Sequence, residues 1–129
     1  MARWERRVRP PPLPTPERTA QRGRARHELG AIDDLALLAA RHADRLLDAA
    51  RSLGATRWAT YLEPIPDRLR DDELPGLRAA ALRARAAFGP KDSIRDVLPS
   101  ALTEPFLDAI DRLLREINRE ANRSGRAAG

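Results

Sequence analysis

One segment constrains this chain more than any other. Across residues 31–53, Ile32, Ala36, Ala39, Ala43, Leu46, Ala50 and Leu53 recur at alternating spacings of four and three, the pattern that lines one face of an α-helix. Leu35, Leu38 and His42 widen this stripe on one side, and Leu29 and Leu47 widen it on the other. The apolar arc then covers roughly half the circumference, more than the ~100° a helix lying on a single neighbour has to hide. Such a helix needs two neighbours, so the segment calls for a bundle. Its small alanines let a neighbouring backbone, or a second copy of the chain, come close. Leu37 projects away from the arc on a side otherwise carrying Asp33, Asp34, Asp44 and Asp48. Gly54 is placed to end the helix in the left-handed conformation that glycine adopts freely.

The remaining segments supply the neighbours. A weaker helical pattern begins at Glu17, after Thr15 and Pro16 as cap and first-turn residue, and Gly23 and Gly30 interrupt it. Residues 55–72 read as irregular, with a short turn carrying Trp58, Tyr61 and Leu62 stopped by Pro64 and Pro66. Asp71, Asp72 and Glu73 then form an acidic helix start. The stripe Leu77, Ala81, Ala84 and Phe88 follows, and Gly89-Pro90 stops it. Asp92 or Ser93 caps one turn from Ile94 to Leu98. Thr103 caps the last helix, whose stripe is Phe106, Ile110, Leu113, Ile117 and Ala121, with Leu107 and Leu114 beside it. Asp108 with Arg112, and Asp111 with Arg115, stand in the favoured acid-first i,i+4 order. No segment alternates with period two. The expected fold is all-α: a small bundle of three main helices plus short helical turns over residues 17–123. A disordered basic, Pro-rich arm at 1–16 precedes it, and a frayed tail at 124–129 follows.

Charge is uneven along this frame. The 129 residues carry a formal net charge of +5. Residues 1–30, with eight Arg and three Glu, already account for +5, so the rest of the chain is neutral overall. Arginine outnumbers lysine 23 to one and alanine also stands at 23, a bias that fits GC-rich coding and raises the isoelectric point by itself. The excess is therefore a weaker pointer to nucleic acid than its size suggests.

Several chemistries lack their residues. There is no cysteine, which removes disulfides, thiol nucleophiles and cysteine metal sites together. His27 and His42 are 15 residues apart, without the four-residue spacing of a zinc-protease pair. His42 reads as a core-edge histidine and His27 as solvated. Asp33, Asp44 and Asp48 share one side of a helix but lack the Glu-x-x-His partner of a di-metal carboxylate site. Gly89-Pro90-Lys91-Asp92-Ser93 lacks phosphate-loop spacing, and no serine sits in a nucleophile elbow. The expectation is a non-enzymatic protein with no cofactor, no metal and no small-molecule ligand. No run approaches the length of a membrane span and no secretory leader is evident, so a cytoplasmic location is expected.

What remains is contact with a macromolecule. Arg3, Trp4, Arg6, Arg7 and Arg9 mix guanidinium with an aromatic ring, and the prolines at 10–12, 14 and 16 favour polyproline II. Arg78, Arg83, Arg85 and Lys91 lie in a stretch, 74–91, that contains no acid. These basic residues are expected either to pair with Asp33, Asp44 and Asp48 or to meet a partner. The leading expectation is an interaction or regulatory protein that binds a protein partner or itself, its arm contacting an acidic surface. The alternative is a small nucleic-acid-binding protein using the arm and the 78–91 helix.

Overall fold

The structure, a computed structural model, describes residues 25–128; the arm, and the helix expected from residue 17 as far as residue 24, lie outside the described residues. The described chain is an all-α bundle. A 3-10 turn at Arg26–Glu28 leads into α1 (Gly30–Ser52), followed by α2 (Thr56–Leu62), α3 (Ile65–Asp71), α4 (Leu74–Ala86), a second 3-10 turn at Ile94–Asp96 and α5 (Ser100–Ala128). No strand occurs among the described residues, and no described helix is long and apolar enough to cross a membrane.

α1 is the helix its periodicity predicts. Ile32, Ala36, Ala39, Ala40, Ala43, Leu46, Leu47 and Ala50 are buried, and the helix packs against α5 on one side and against α2 and α3 on the other. Its alanine stripe is therefore filled by the chain's own helices, which corrects the expectation that a second copy could enter there. Leu53, counted in the stripe, is exposed because it is already the C-cap, beyond the last turn that neighbours cover. Gly54 follows with φ +69°. Its N–H reaches the Arg51 carbonyl and the Ala55 N–H reaches that of Ala50, at 3.1 and 2.8 Å. These two bonds close a Schellman cap.

Residues 55–72, read as irregular, hold two seven-residue helices instead. Proline was taken as a stop, but Pro66 stands in the first turn of α3, where its missing N–H costs nothing. Helices this short are not stable alone. Burial of Trp58, Leu62, Ile65 and Leu69 holds them.

The last helix also begins earlier than expected. Thr103 is not its cap but a fully buried residue inside it, and Pro105 lies within the helix. The turn before them is held by the Pro99 carbonyl, which accepts from Leu102 and Thr103. Glu120, rather than Ala121, takes the next buried place after Ile117, and helix continues past residue 123 to Ala128. Asp108 pairs with Arg112 as read. Asp111 does not pair with Arg115: it is drawn across to Arg85 of α4, a partner that only tertiary packing brings near.

Around the bundle the order is α1, α3, α4, α5, so α1 and α4 each pack on α3 and α5 and sit on opposite sides. The centre holds Leu46, Leu62, Ile65, Leu69, Leu77, Ile94, Phe106, Ile110 and Leu113, all fully buried. His42 sits at the rim of α1, and burial, followed by the positive charges of Arg45 and Arg41, lowers its pKa from the ordinary 6.5. Between the folded and unfolded values the unfolded chain binds the extra proton. The His42 contribution is therefore complete above about pH 6.5 and is lost as pH falls through the lowered value. In thermal melts between pH 5 and 8, a His42→Gln variant is expected to lose less stability on acidification than the parent; parallel curves would contradict this.

Candidate functional site

α4 (Leu74–Ala86) is the basic helix. It turns Leu77, Ala80, Ala81 and Ala84 inward and leaves Arg78, Arg83 and Arg85 at the surface. Consecutive residues step by about 100° around a helix. Arg83 and Arg85, two apart, therefore point to opposite flanks, and Arg78, seven before Arg85, shares the flank of Arg85. The structure thus divides the predicted basic set rather than gathering it. Lys91 lies exposed in the connector after α4, just before Asp92 with φ +52°.

The Arg83 flank faces α2. The Arg83 guanidinium lies 4.2 Å above the centre of the Tyr61 ring. The Tyr61 hydroxyl donates to the Arg83 carbonyl at 2.6 Å, and Arg83 Nη2 donates to the Tyr61 carbonyl at 3.4 Å. Trp58 meets Tyr61 edge-on at 5.6 Å, and Arg57 covers the Trp58 ring at 5.4 Å. Trp58 is 8% exposed and Tyr61 half-buried. Two aromatic rings and two guanidiniums thus form one ledge across α2 and α4. A cation over an aromatic face is worth about 0.5–1 kcal/mol at exposed sites, so Arg83 is ordered before any partner arrives.

The Arg85 flank faces α5. Arg85 Nε lies 3.0 Å from Asp111 Oδ1. At the same end Arg95 pairs with Glu104 at 2.7 Å and covers the Phe88 ring at 5.4 Å. Hydrogen bonds from Arg95 and Thr103 hold the Glu104 carboxyl below the usual carboxylate range. Ser93 is the residue that caps the second 3-10 turn, accepting from the Arg95 N–H at 3.1 Å.

The acidic residues of α1 have other partners than those expected. Asp33 takes Arg26, Asp44 takes Arg70, and Asp48 is exposed. The reason is topological: α3 and α5 stand between α1 and α4, so the α4 arginines face other elements. Asp33 and Asp44, which share one side of α1, are thus held by separate cations. His27 is largely solvent-exposed, as expected.

Two features had no sequence signal. Arg26 is buried and donates three hydrogen bonds. Its backbone N–H donates to Glu73 Oε2 at 2.7 Å, its Nε to Asp33 at 2.8 Å and its Nη1 to the Asp72 carbonyl at 3.1 Å, while Nη2 is buried without a partner. It ties the first 3-10 turn to α1 and to the α3–α4 corner. The Tyr61–Arg83 stack joins residues 22 apart in sequence, beyond any local pattern. The predicted arm residues Arg3, Trp4, Arg6, Arg7 and Arg9 lie outside the described residues.

Two surface depressions accompany these features. One, of about 240 Å³, lies between the end of α1 and α2, lined by Arg51, Gly54, Thr56 and Glu63 among others. The other, of about 180 Å³, lies where the start of α1 meets α5, with Glu28, Glu116 and Glu120 on its wall and Arg123 bonded to Glu120. Compared with models of protein families, with characterised proteins and with solved structures, the chain matches none.

Proposed function

We propose that this chain is a non-enzymatic interaction or regulatory protein that binds an acidic protein surface through its basic arm and the surface of α4. The observation that carries the reading is the surface set of Arg57, Tyr61 and Arg83, backed by the buried Trp58, with Arg83 stacked 4.2 Å over the Tyr61 ring. Trp, Tyr and Arg are the residue types that dominate binding energy at protein interfaces. Ordering them in advance reduces the entropy lost on association. α4 itself contains three arginines and no acid.

The test compares the full-length parent, a chain lacking residues 1–14, and full-length Arg83→Glu, each isolated from its own cells with and without nuclease treatment. A stoichiometric protein partner is expected with the parent. Its retention should fall about tenfold or more in Arg83→Glu, since reversing a charge against an acidic surface costs affinity steeply. Sedimentation of the parent at micromolar concentration tells whether that partner is a second copy. Retention lost on nuclease treatment would overturn the reading in favour of nucleic acid. In that case a log–log salt slope of roughly −3 to −4 would report contacts by Arg3, Arg6, Arg7 and Arg9 alone, and about twice that would add Arg78, Arg83, Arg85 and Lys91.

A further inference from the structure

We infer that the groove between α4 and α5 is a docking seam for an acidic amphipathic helix of a partner protein. This rests on the interaction reading above and names the class of partner. The register of the two helices comes from the 3.0 Å Arg85–Asp111 ion pair and from Phe88 against Phe106 at 6.3 Å: they run antiparallel. On α4, Leu74, Arg78 and Leu82 lie 11, seven and three residues before Arg85, near whole numbers of turns, so all four share the flank that meets α5. On α5, Leu107 lies four residues before Asp111, and Leu114 and Arg115 lie three and four after it, so they share the flank that meets α4.

Four leucines therefore line this groove, two from each helix. Leu82 is 43% exposed, and Leu74, Leu107 and Leu114 are half-buried. Arginines frame the row. Asp111 is held by Arg85, while no ion pair among the described residues engages Arg78 or Arg115. The Arg85–Asp111 pair crosses the seam between the levels of Leu107 and Leu114, and Arg78 and Arg115 stand beside the leucines, so the seam is apolar in patches and carries a net positive charge.

Charge selects the occupant. A second copy docking across a twofold axis would bring its own Arg78 and Arg115 against this pair, and like charges across an interface are unfavourable. The chain's own arm carries the same sign. Nucleic acid satisfies arginines but leaves a leucine row unused. A helix with leucines at i, i+4 and i+7 covers the floor, and its flanking Asp or Glu meet the arginines. In this register Leu74 stands level with residue 122 of α5, 15 residues beyond Leu107 or about 22 Å, so about four turns of partner helix span the row.

The experiment titrates a synthetic acidic amphipathic peptide, with leucines at that spacing and glutamates elsewhere, into the full-length protein and follows backbone amide shifts. A peptide of identical composition in scrambled order is the control. Saturable binding at least about tenfold tighter than the control is expected, with shifts around Leu82, Asp111 and Leu114. Leu82→Gln and Arg78→Glu, both at exposed positions that leave the core intact, should each weaken binding about fivefold or more. Arg41→Ala, exposed on α1 on the far side of the bundle, should leave it unchanged. Equal binding of the scrambled peptide, no saturation, or indifference to both variants overturns the seam. Binding that maps to Arg57, Tyr61 and Arg83 instead overturns the seam while leaving the interaction reading in place.

Discussion

Phe106→Ala is expected to remove a large part of the protein's folding stability. Phe106 is the largest of the fully buried side chains, and its ring meets that of Phe88 at 6.3 Å. It stands on α5, on which the 3-10 turn of the α4–α5 connector packs, and Ile94 of that turn is fully buried as well. Truncation removes the transfer free energy of the ring and leaves a cavity, together about 3–5 kcal/mol. Domains of this size are stable by roughly 5–15 kcal/mol, and much of the core here is alanine, which cannot move to refill the space. Urea unfolding followed by circular dichroism measures the loss. A midpoint within experimental error of the parent would mean that the connector does not pack on α5 as described.

Arg26→Ala is expected to cost about 2–3 kcal/mol, because hydrogen bonds involving charged groups contribute about 1.5–3 kcal/mol and the aliphatic stem is lost as well. Asp33 loses its partner and the Asp72 carbonyl loses a donor. The backbone bond from Arg26 N to Glu73 survives substitution in principle, but the turn that aims it is no longer anchored. For a domain of about 100 residues each kcal/mol moves the melting temperature by roughly 4–8 °C, so a fall of about 10–20 °C is expected. Arg26→Met separates charge from packing. It keeps most of the stem and removes the buried, unpartnered Nη2, so it should melt above the alanine variant. Equal melting of Met and Ala variants would show that the stem contributes nothing.

The two substitutions differ in how visible their sites are beforehand. Phe106 belongs to a stripe, Phe106, Ile110, Leu113 and Ile117, and a stripe is a local property read at fixed spacing. Arg26 is one of 23 arginines and nothing in its neighbours marks it. Its burial depends on Asp33, Asp72 and Glu73, up to 47 residues away. The same holds for Tyr61 and Arg83, whose stack needs α2 and α4 to be side by side. Proline misled at Pro66, expected as a stop, because the same residue breaks a helix interior and opens a first turn; α5 likewise runs through Pro105 from Ser100, ahead of the cap expected at Thr103. Which role applies depends on whether another group, here packing or the Pro99 carbonyl, holds the turn before it.

The sequence by itself determined the all-α class, the inward faces of α1, α4 and α5, the glycine cap at Gly54 and the basic character of α4. Each follows from periodicity, backbone conformational preference or composition within a few residues. Tertiary structure alone decided which charges meet. With α3 and α5 lying between α1 and α4, Asp33 and Asp44 went to Arg26 and Arg70, Asp111 went to Arg85, and the α4 arginines parted onto two flanks. Ion pairs form between whichever side chains the packing of apolar faces brings within a few ångströms, and that packing order is a property of the whole bundle.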